Sequence, residues 1–373
     1  MLGYRVPIAM FFELPDVDTL YAALLARDPV YDGFAFVGVK STGVFCRLTC
    51  PARKPKKEHA VFYATVVEAM EAGFRPCKRC QPLSLFGARD KTLGMLLARL
   101  ESDPEKKWSE DDLTAAGLDP STVRRAFKRQ FGVTFLEMAR LRRLGKGIHQ
   151  LTMGADVIEA QLEASFESGS GFRAAITRHL GMNPSQARRH RFLKSRWLDT
   201  PLGSMLAVAD QQALHLLEFA DRPALPAELT RLRNLTASEI VMDSTPVTDQ
   251  LERELNDYFA GASCRFATPL AEHGSLFTRR VWDALRAIPA GQVRSYSAVA
   301  AAIARPTATR AVARANGANQ IAILIPCHRV IGADGTLTGY GGGLWRKQWL
   351  IEHEKRRFSG EGRGGQQNVV DNA

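Results

Sequence analysis

Four cysteines crowd into residues 46–80 of this chain as two close pairs, Cys46-x3-Cys50 and Cys77-x2-Cys80, separated by 26 residues. Two pairs at these spacings, each offered from a turn, are the layout of a tetrahedral four-thiolate zinc site with Cys46, Cys50, Cys77 and Cys80 as ligands to one ion. A segment this short must fold around that ion. Only two further cysteines, Cys264 and Cys327, occur in 373 residues, far too few for a disulfide scaffold, so a reducing, cytoplasmic setting is expected. Spacing alone describes a structural staple.

The surroundings add to that reading. Lys40, Arg47, Arg53, Lys54, Lys56, Lys57, Arg75, Lys78 and Arg79 ring the cysteines. Four thiolates on one zinc carry a formal charge of about −2, which nearby cations stabilise, and the same cations attract phosphate. A zinc-bound thiolate is deprotonated at neutral pH and can still act as a nucleophile. The whole chain is basic, with 50 Lys and Arg against 39 Asp and Glu and a net charge of +11, which points to a polyanion without choosing among DNA, RNA and membrane. No apolar stretch reaches the length of a membrane span, and the opening MLGYRVPIAMFF lacks a signal-cleavage pattern, so a soluble protein is expected. At 373 residues with 45% hydrophobic content, two to four domains with real cores are expected.

The strings VKSTGVFCRLTCPAR and GFRPCKRCQP resemble the amino-terminal domain of the Ada family, bacterial proteins that join transcriptional activation to DNA repair. The resemblance implies that Cys46 is both zinc ligand and methyl acceptor, taking a methyl group from a methylphosphotriester, with Cys50, Cys77 and Cys80 as ligands only. It also implies phosphate contacts at Thr42, Arg53 and Arg75. Pro51 departs from the family, which carries an arginine there. Methylating Cys46 would cut the cluster's formal charge from about −2 to −1 and raise its affinity for DNA.

Asp111 to Phe131 reads as helix, turn and helix, with a turn at 117–120 and Ser121 as the expected N-cap of the second helix. From Ser121 to Gly147 there are eight Lys and Arg against one acid, and residues 173–196 hold seven more with no acid. Such a surface suits DNA, although charge alone equally describes a solvated basic face. VRRAFKRQFGVTFLEMARLRR and GSGFRAAITRHLGMNPSQARR are similar to the two helix-turn-helix units of AraC-type activators, which implies recognition helices at 121–130 and 169–179 and DNA contacts from Arg124, Arg125, Lys128 and Arg129.

Near the carboxy terminus, Ile325-Pro326-Cys327-His328-Arg329-Val330 sets a lone cysteine beside an imidazole. Adjacency of the two is weak evidence, because chain neighbours often point apart. The longer string ANQIAILIPCHRVIGADGTLTGYGGG resembles the active-site signature of the 6-O-alkylguanine-DNA alkyltransferases, and the likeness runs over roughly residues 198–355. It implies that Cys327 accepts the alkyl group, His328 deprotonates it through water and Glu354 orients the imidazole. Asn319 would hold the turn, Tyr340 would donate a proton as the alkyl group leaves, Arg310 would fill the gap in the duplex, and Tyr296 would flank the flipped nucleotide. Flipping is required because an alkyl group on a stacked base is beyond a thiol's reach. Cys264 has no partner motif and reads as structural.

The expected fold is multidomain α+β: a small zinc-bound α/β domain, an all-α AraC-type segment, and a ribonuclease-H-like α/β subdomain followed by a helical alkyltransferase domain with a winged-helix-like fold. The expected boundaries are an extension at 1–24, the zinc domain at 25–84, a helix and polar linker at 85–106, the helix-turn-helix segment at 107–192, the α/β subdomain at 193–272, the catalytic domain at 273–357 and a disordered tail at 358–373. The expected function is single-turnover transfer of methyl groups from 6-O-methylguanine, and from 4-O-methylthymine, to Cys327, and from methylphosphotriesters to Cys46, with Cys46 methylation switching on transcription of alkylation-response genes. Damaged and promoter DNA and RNA polymerase are the expected partners of a monomeric protein. Two alternatives stay open: a transcription factor whose zinc module is structural and whose last domain binds lesions without transfer, and a repair protein without activation.

Overall fold

The computed structural model describes residues 14–82 and 91–358, which fall into two compact units, one formed by 14–82, 276–319 and 325–358 and the other by 91–275 and 320–324. The expected extension, the tail and the start of the helix-and-linker segment expected at 85–106 lie partly or wholly outside the described residues.

In the first unit, helix α1 (Val17–Ala26) starts where the Asp16 side chain accepts from Thr19 N at 2.9 Å. Strands β1 (Phe36–Val39), β2 (Val44–Arg47) and β3 (Ala60–Tyr63), helix α2 (Val66–Glu71) and the short strand β4 (Arg75–Pro76) follow. The sheet order is β3-β1-β2-β4, with β1 antiparallel to β2 and β3, and β2 parallel to β4. Period-two alternation divides its faces: Phe45 packs with Phe36 and Ala69, while Cys46 packs with Leu20, Leu24 and Val37. Gly38 is fixed by space, since a Cβ there would come within 2.8 Å of the Tyr63 ring.

The same unit contains α12 (Leu276–Arg286), β9 (Arg294–Ser295), α13 (Tyr296–Ala302), α14 (Thr309–Gly317), β10 (Val330–Ile331) and α15 (Leu344–Phe358). Strands β9 and β10 pair in parallel. Helices α13 and α14 form a helix-turn-helix, with Ser295 capping α13 through Ala298 N at 3.1 Å. Cys327–Arg329 make a single 3-10 turn directly after Pro326.

In the second unit, α3 (Lys91–Ser102), α4 (Glu110–Ala115), α5 (Pro120–Phe131), α6 (Phe135–Thr152), α7 (Val157–Glu163), α8 (Gly169–Leu180) and α9 (Pro184–Arg189) precede a sheet of β5 (Phe192–Leu198), β6 (Met205–Ala209), β7 (Leu214–Phe219) and β8 (Glu239–Met242), with α10 (Leu225–Thr236) between β7 and β8, and α11 (Pro246–Ala260) after it. The sheet order is β7-β6-β5-β8. The N-cap of α5 is Asp119 rather than Ser121: Pro120 supplies a preset φ at the first helical position, and the Asp119 carboxylate accepts from Thr122 N at 2.7 Å. One core joins helices and sheet, with Leu96, Leu97, Phe127 and Phe135 packed together with Leu193, Val208 and Leu216.

Polar groups reinforce that joint. Arg142 on α6 pairs with Glu101 at 3.2 Å and Asp243 at 3.1 Å, and Lys194 on β5 meets Asp243 at 2.6 Å. Glu101, in the segment expected as helix and polar linker, lies in the last turn of α3 and is buried against Arg142. At Gly145 a Cβ would lie 2.0 Å from the carbonyl oxygen of Met242, so only glycine lets α6 approach β8 this closely.

Candidate active sites and nucleic-acid interface

Parallel pairing of β2 with β4 brings the two cysteine pairs together. Cys46 sits in β2, and Cys77, just beyond β4, donates its N–H to Phe45 O at 3.0 Å. All four sulfur atoms lie within 4.8 Å of one another, Cys50 Sγ and Cys77 Sγ being 4.0 Å apart. Arg47 N donates to Cys80 Sγ at 3.4 Å, and Lys54 Nζ donates to the carbonyls of Leu48 at 2.9 Å and Cys50 at 3.0 Å, pinning the loop that carries Cys50. Hydrogen bonding to Cys80, burial and neighbouring thiolates drive the Cys46 thiol far above its usual range, whereas accepting from Cys46 draws Cys80 down to about 5. Four crowded sulfurs competing for protons, with a backbone N–H already aimed at one of them, fit a divalent, thiophilic cation. Cys46 is 8% exposed, Cys50 and Cys80 are 3%, and Cys77 is more exposed than any of these.

Thr42, Arg53 and Arg75 are exposed, and Arg75 N donates to Gly43 O at 2.8 Å, which sets Arg75 beside the β1–β2 turn carrying Thr42. Arg47 departs from the expected cationic ring: it is 4% exposed, pairs with Asp32 at 3.7 Å and donates to Gln81 O at 3.3 Å. Its charge is consumed inside the module. Lys54, turned onto two carbonyls, is likewise only partly available.

On α5, Arg124, Arg125, Lys128 and Arg129 are all exposed, while Val123 and Phe127 face the core. Arg124 pairs with Glu110, and Arg125 donates to Thr122 Oγ1 at 3.4 Å. Arg173 and Arg178 are exposed on α8. The basic strips expected over 121–147 and 173–196 are thinner than a residue count suggests. Arg142 and Lys194 are buried in the ion cluster, Lys146 pairs with Glu105 and Glu163, and Arg196 meets Asp249 at 2.6 Å and Glu252 at 2.8 Å. Their acidic partners are distant in sequence, so a local charge count misses them.

In the carboxy-terminal site Cys327 is 7% exposed. Asn319 Nδ2 donates to Cys327 Sγ at 3.1 Å and to Ile325 O at 2.8 Å, tying the sulfur to its own turn. His328 Nε2 lies 2.9 Å from Glu354 Oε1, and both side chains are fully buried. Glu354 also accepts from Arg329 Nε and Nη2, each at 2.9 Å, and from Gly291 N at 3.1 Å. Burial acts to raise this carboxyl, but His328 and Arg329 outweigh it and hold Glu354 well below the usual carboxylate range. Burial lowers His328 below 6.5 despite the carboxylate, so the imidazole is neutral at neutral pH. With Nε2 committed to Glu354, Nδ1 has no hydrogen-bond partner among the described residues and stands ready to accept a proton.

A cavity of about 450 Å³, lined by Tyr296, Ala313, Asn316, Thr338 and Tyr340, opens beside α14 and is large enough for a nucleobase. Tyr296 is half-buried at the start of α13, Tyr340 is 7% exposed, and Arg310 is exposed on the first turn of α14. Three participants were missed by sequence reasoning: Asn316, which approaches Cys327 O at 3.5 Å; Arg329, which shares Glu354; and Lys347, which is fully buried and bonded to the cavity wall. Arg329 stands inside the cysteine motif and could have been found; nothing local marks Lys347.

The zinc-type thiolate cluster, the paired helix-turn-helix units and the buried Cys-His-Glu site together define a multidomain protein built to meet DNA. Family models agree segment by segment: the metal binding domain of Ada matches residues 19–82, a helix-turn-helix domain matches 113–190, and the DNA-binding domain of 6-O-methylguanine DNA methyltransferase matches 276–356. The bifunctional transcriptional activator/DNA repair enzyme Ada of Escherichia coli K12 is 34% identical over 348 residues, covering 90% of this chain and 96% of that protein. A methylated-DNA--protein-cysteine methyltransferase of Salmonella typhimurium is 45% identical over 162 residues, covering 42% of this chain and 91% of its own length. The crystal structure of Mycobacterium tuberculosis OGT in complex with DNA is similar at 39% identity and a TM-score of 0.39, covering 45% of this chain and 94% of that one. The chain belongs to the Ada family.

Proposed function

We propose that this protein repairs methylated DNA by two irreversible transfers to its own cysteines and that one of them turns it into a transcriptional activator. The observation that carries the reading is the buried relay beside the cavity: Asn319 Nδ2 lies 3.1 Å from Cys327 Sγ, and His328, next in the chain, is held 2.9 Å from Glu354 with Nδ1 unpartnered among the described residues. His328 Nδ1 takes the Cys327 proton through a bridging water, and Glu354 stabilises the resulting imidazolium. The thiolate attacks the methyl carbon of a flipped 6-O-methylguanine, or of 4-O-methylthymine. The C–S bond forms as the C–O bond breaks, its electron pair remains on the base, and Tyr340 donates a proton to a ring nitrogen. Tyr296 flanks the flipped nucleotide and Arg310 fills the gap it leaves. A thioether has no leaving path in water, so Cys327 reacts once.

Cys46, Cys50, Cys77 and Cys80 hold one zinc ion, which keeps all four sulfurs as thiolates at neutral pH. Cys46 takes the methyl group of a phosphotriester, returning a charged phosphodiester, with Thr42, Arg53 and Arg75 gripping the flanking phosphates. The loss of one negative charge from the cluster strengthens binding to DNA. The exposed cations of α5, Arg124, Arg125, Lys128 and Arg129, then hold promoter DNA, where the monomeric protein meets RNA polymerase in the cytoplasm.

Separate substrates test the two acceptors. Cys327→Ala should abolish transfer from 6-O-methylguanine and spare transfer from phosphotriesters, and Cys46→Ala should do the reverse. Guanine repair by the Cys327→Ala protein would overturn the assignment, and so would phosphotriester repair by the Cys46→Ala protein.

A further inference from the structure

We infer that Asn316 is a specificity-determining residue that reads the 2-amino group of a flipped guanine, so that the cavity takes 6-O-methylguanine ahead of lesions with no donor at that position. The inference rests on reading Cys327 as the acceptor. Asn316 lies in the last turn of α14 and is 4% exposed. It lines the cavity with Tyr296, Thr338 and Tyr340, and its Nδ2 approaches Cys327 O at 3.5 Å. One carboxamide therefore joins the cavity wall to the turn that carries the acceptor sulfur.

That contact sets which end of the amide is left over. Only Nδ2 can donate to a carbonyl, so Oδ1 is the end turned from Cys327 O. Oδ1 is buried and has no hydrogen-bond partner among the described residues. An amide oxygen taken out of water without a donor is costly, and one on a residue that lines a cavity is a place for the N–H of a ligand. The other polar groups of this wall do not replace it. The hydroxyls of Tyr296, Thr338 and Tyr340 can donate or accept, and Thr338 O already accepts from Lys347 Nζ at 2.6 Å. The amide oxygen of Asn316 can only accept.

The chemistry of the two lesions decides what such an acceptor can tell apart. Alkylation at the 6-oxygen of guanine removes the N1 proton, so the 2-amino group is the donor that remains on that edge of the base. It stands on the same edge as the 6-oxygen. A base placed with its methyl carbon against Cys327 Sγ therefore turns this edge, amine included, toward the Cys327 turn and Asn316. Alkylation at the 4-oxygen of thymine likewise removes the N3 proton, and the group at C2 is a carbonyl. That edge carries acceptors alone and leaves Oδ1 without a donor. A neutral hydrogen bond made with one base and left unmade with the other separates the two on the order of tenfold.

Single-turnover transfer by the full chain from three duplexes tests this. One carries 6-O-methylguanine, one carries 6-O-methylhypoxanthine, the same methylated ring without the amine, and one carries 4-O-methylthymine. The wild-type protein should transfer from the guanine duplex about tenfold faster than from the hypoxanthine duplex. In Asn316→Leu, close in volume and without an acceptor, that ratio should fall toward one, and the guanine-to-thymine ratio should fall by the same factor. Asn316→Ala, which empties the position instead of refilling it, should give the same ratios, so the outcome does not depend on how one variant packs. A purely structural role would slow transfer from every duplex in the same proportion and leave the ratios as they are. Equal wild-type rates for the two purines, or a guanine-to-hypoxanthine ratio unchanged in the variants, would overturn the inference. Absence of methyl on Cys327 with every duplex would instead overturn the reading on which it rests.

Discussion

Glu354 shows how much one side chain can hold together. It accepts hydrogen bonds from Nε2 of His328, from Nε and Nη2 of Arg329 and from the N–H of Gly291. Glu354→Gln removes the charge that aligns the imidazole and leaves Arg329 buried without its anion, which costs on the order of 3–5 kcal/mol of stability. Because His328 acts through this contact, methyl transfer by Glu354→Gln should slow by about 10²–10⁴-fold, measured in a single turnover. Acid acts on the same groups in the same direction. His328 is depressed when folded, so the unfolded chain takes up its proton first and stability falls as pH drops below 6.5. Glu354 is also depressed, so its contribution is complete above 4.5 and is lost as pH falls further. Transfer should persist through pH 6.5 and fail below it; an inflection above 6.5 would contradict a neutral His328.

At the scale of elements, the helix-turn-helix segment separates cations that meet solvent from cations that hold the fold. Arg125 on α5 is exposed, whereas Arg142 on α6 is 4% exposed and paired with Glu101 and Asp243. Arg125→Ala should therefore reduce the slope of log affinity against log salt by about one, with little loss of stability. Arg142→Ala should leave that slope unchanged and destabilise the unit by about 3–5 kcal/mol, because two buried carboxylates each lose one of their partners. Titrations with duplex DNA at several salt concentrations, alongside urea denaturation, separate the two outcomes. Equal slope changes in both variants would mean that Arg142 reaches DNA after all.

At the scale of the whole molecule, legibility followed the range of the signal. The cysteine spacing named a cluster whose sulfurs lie within 4.8 Å, and the Pro-Cys-His-Arg string marked a turn that is buried and hydrogen-bonded. The helices expected at 121–130 and 169–179 are α5 and α8. What stayed hidden depends on partners far along the chain. Arg47 is spent on Asp32, and Arg142 on Asp243 a hundred residues away. The Asp119 cap was missed because a hydroxyl one residue inside the helix is an equally plausible local signal, and only Pro120 decides between them.

The central claim is that one chain carries two methyl acceptors with different substrates. Peptide mass spectrometry of the zinc-loaded full chain, after incubation with DNA bearing both methylphosphotriesters and 6-O-methylguanine, tests it most directly. The expected result is one methyl group on the Cys46 peptide and one on the Cys327 peptide, with Cys50, Cys77, Cys80 and Cys264 unmodified. Methyl on the more exposed Cys77 in place of Cys46, or on neither Cys46 nor Cys327, would contradict it.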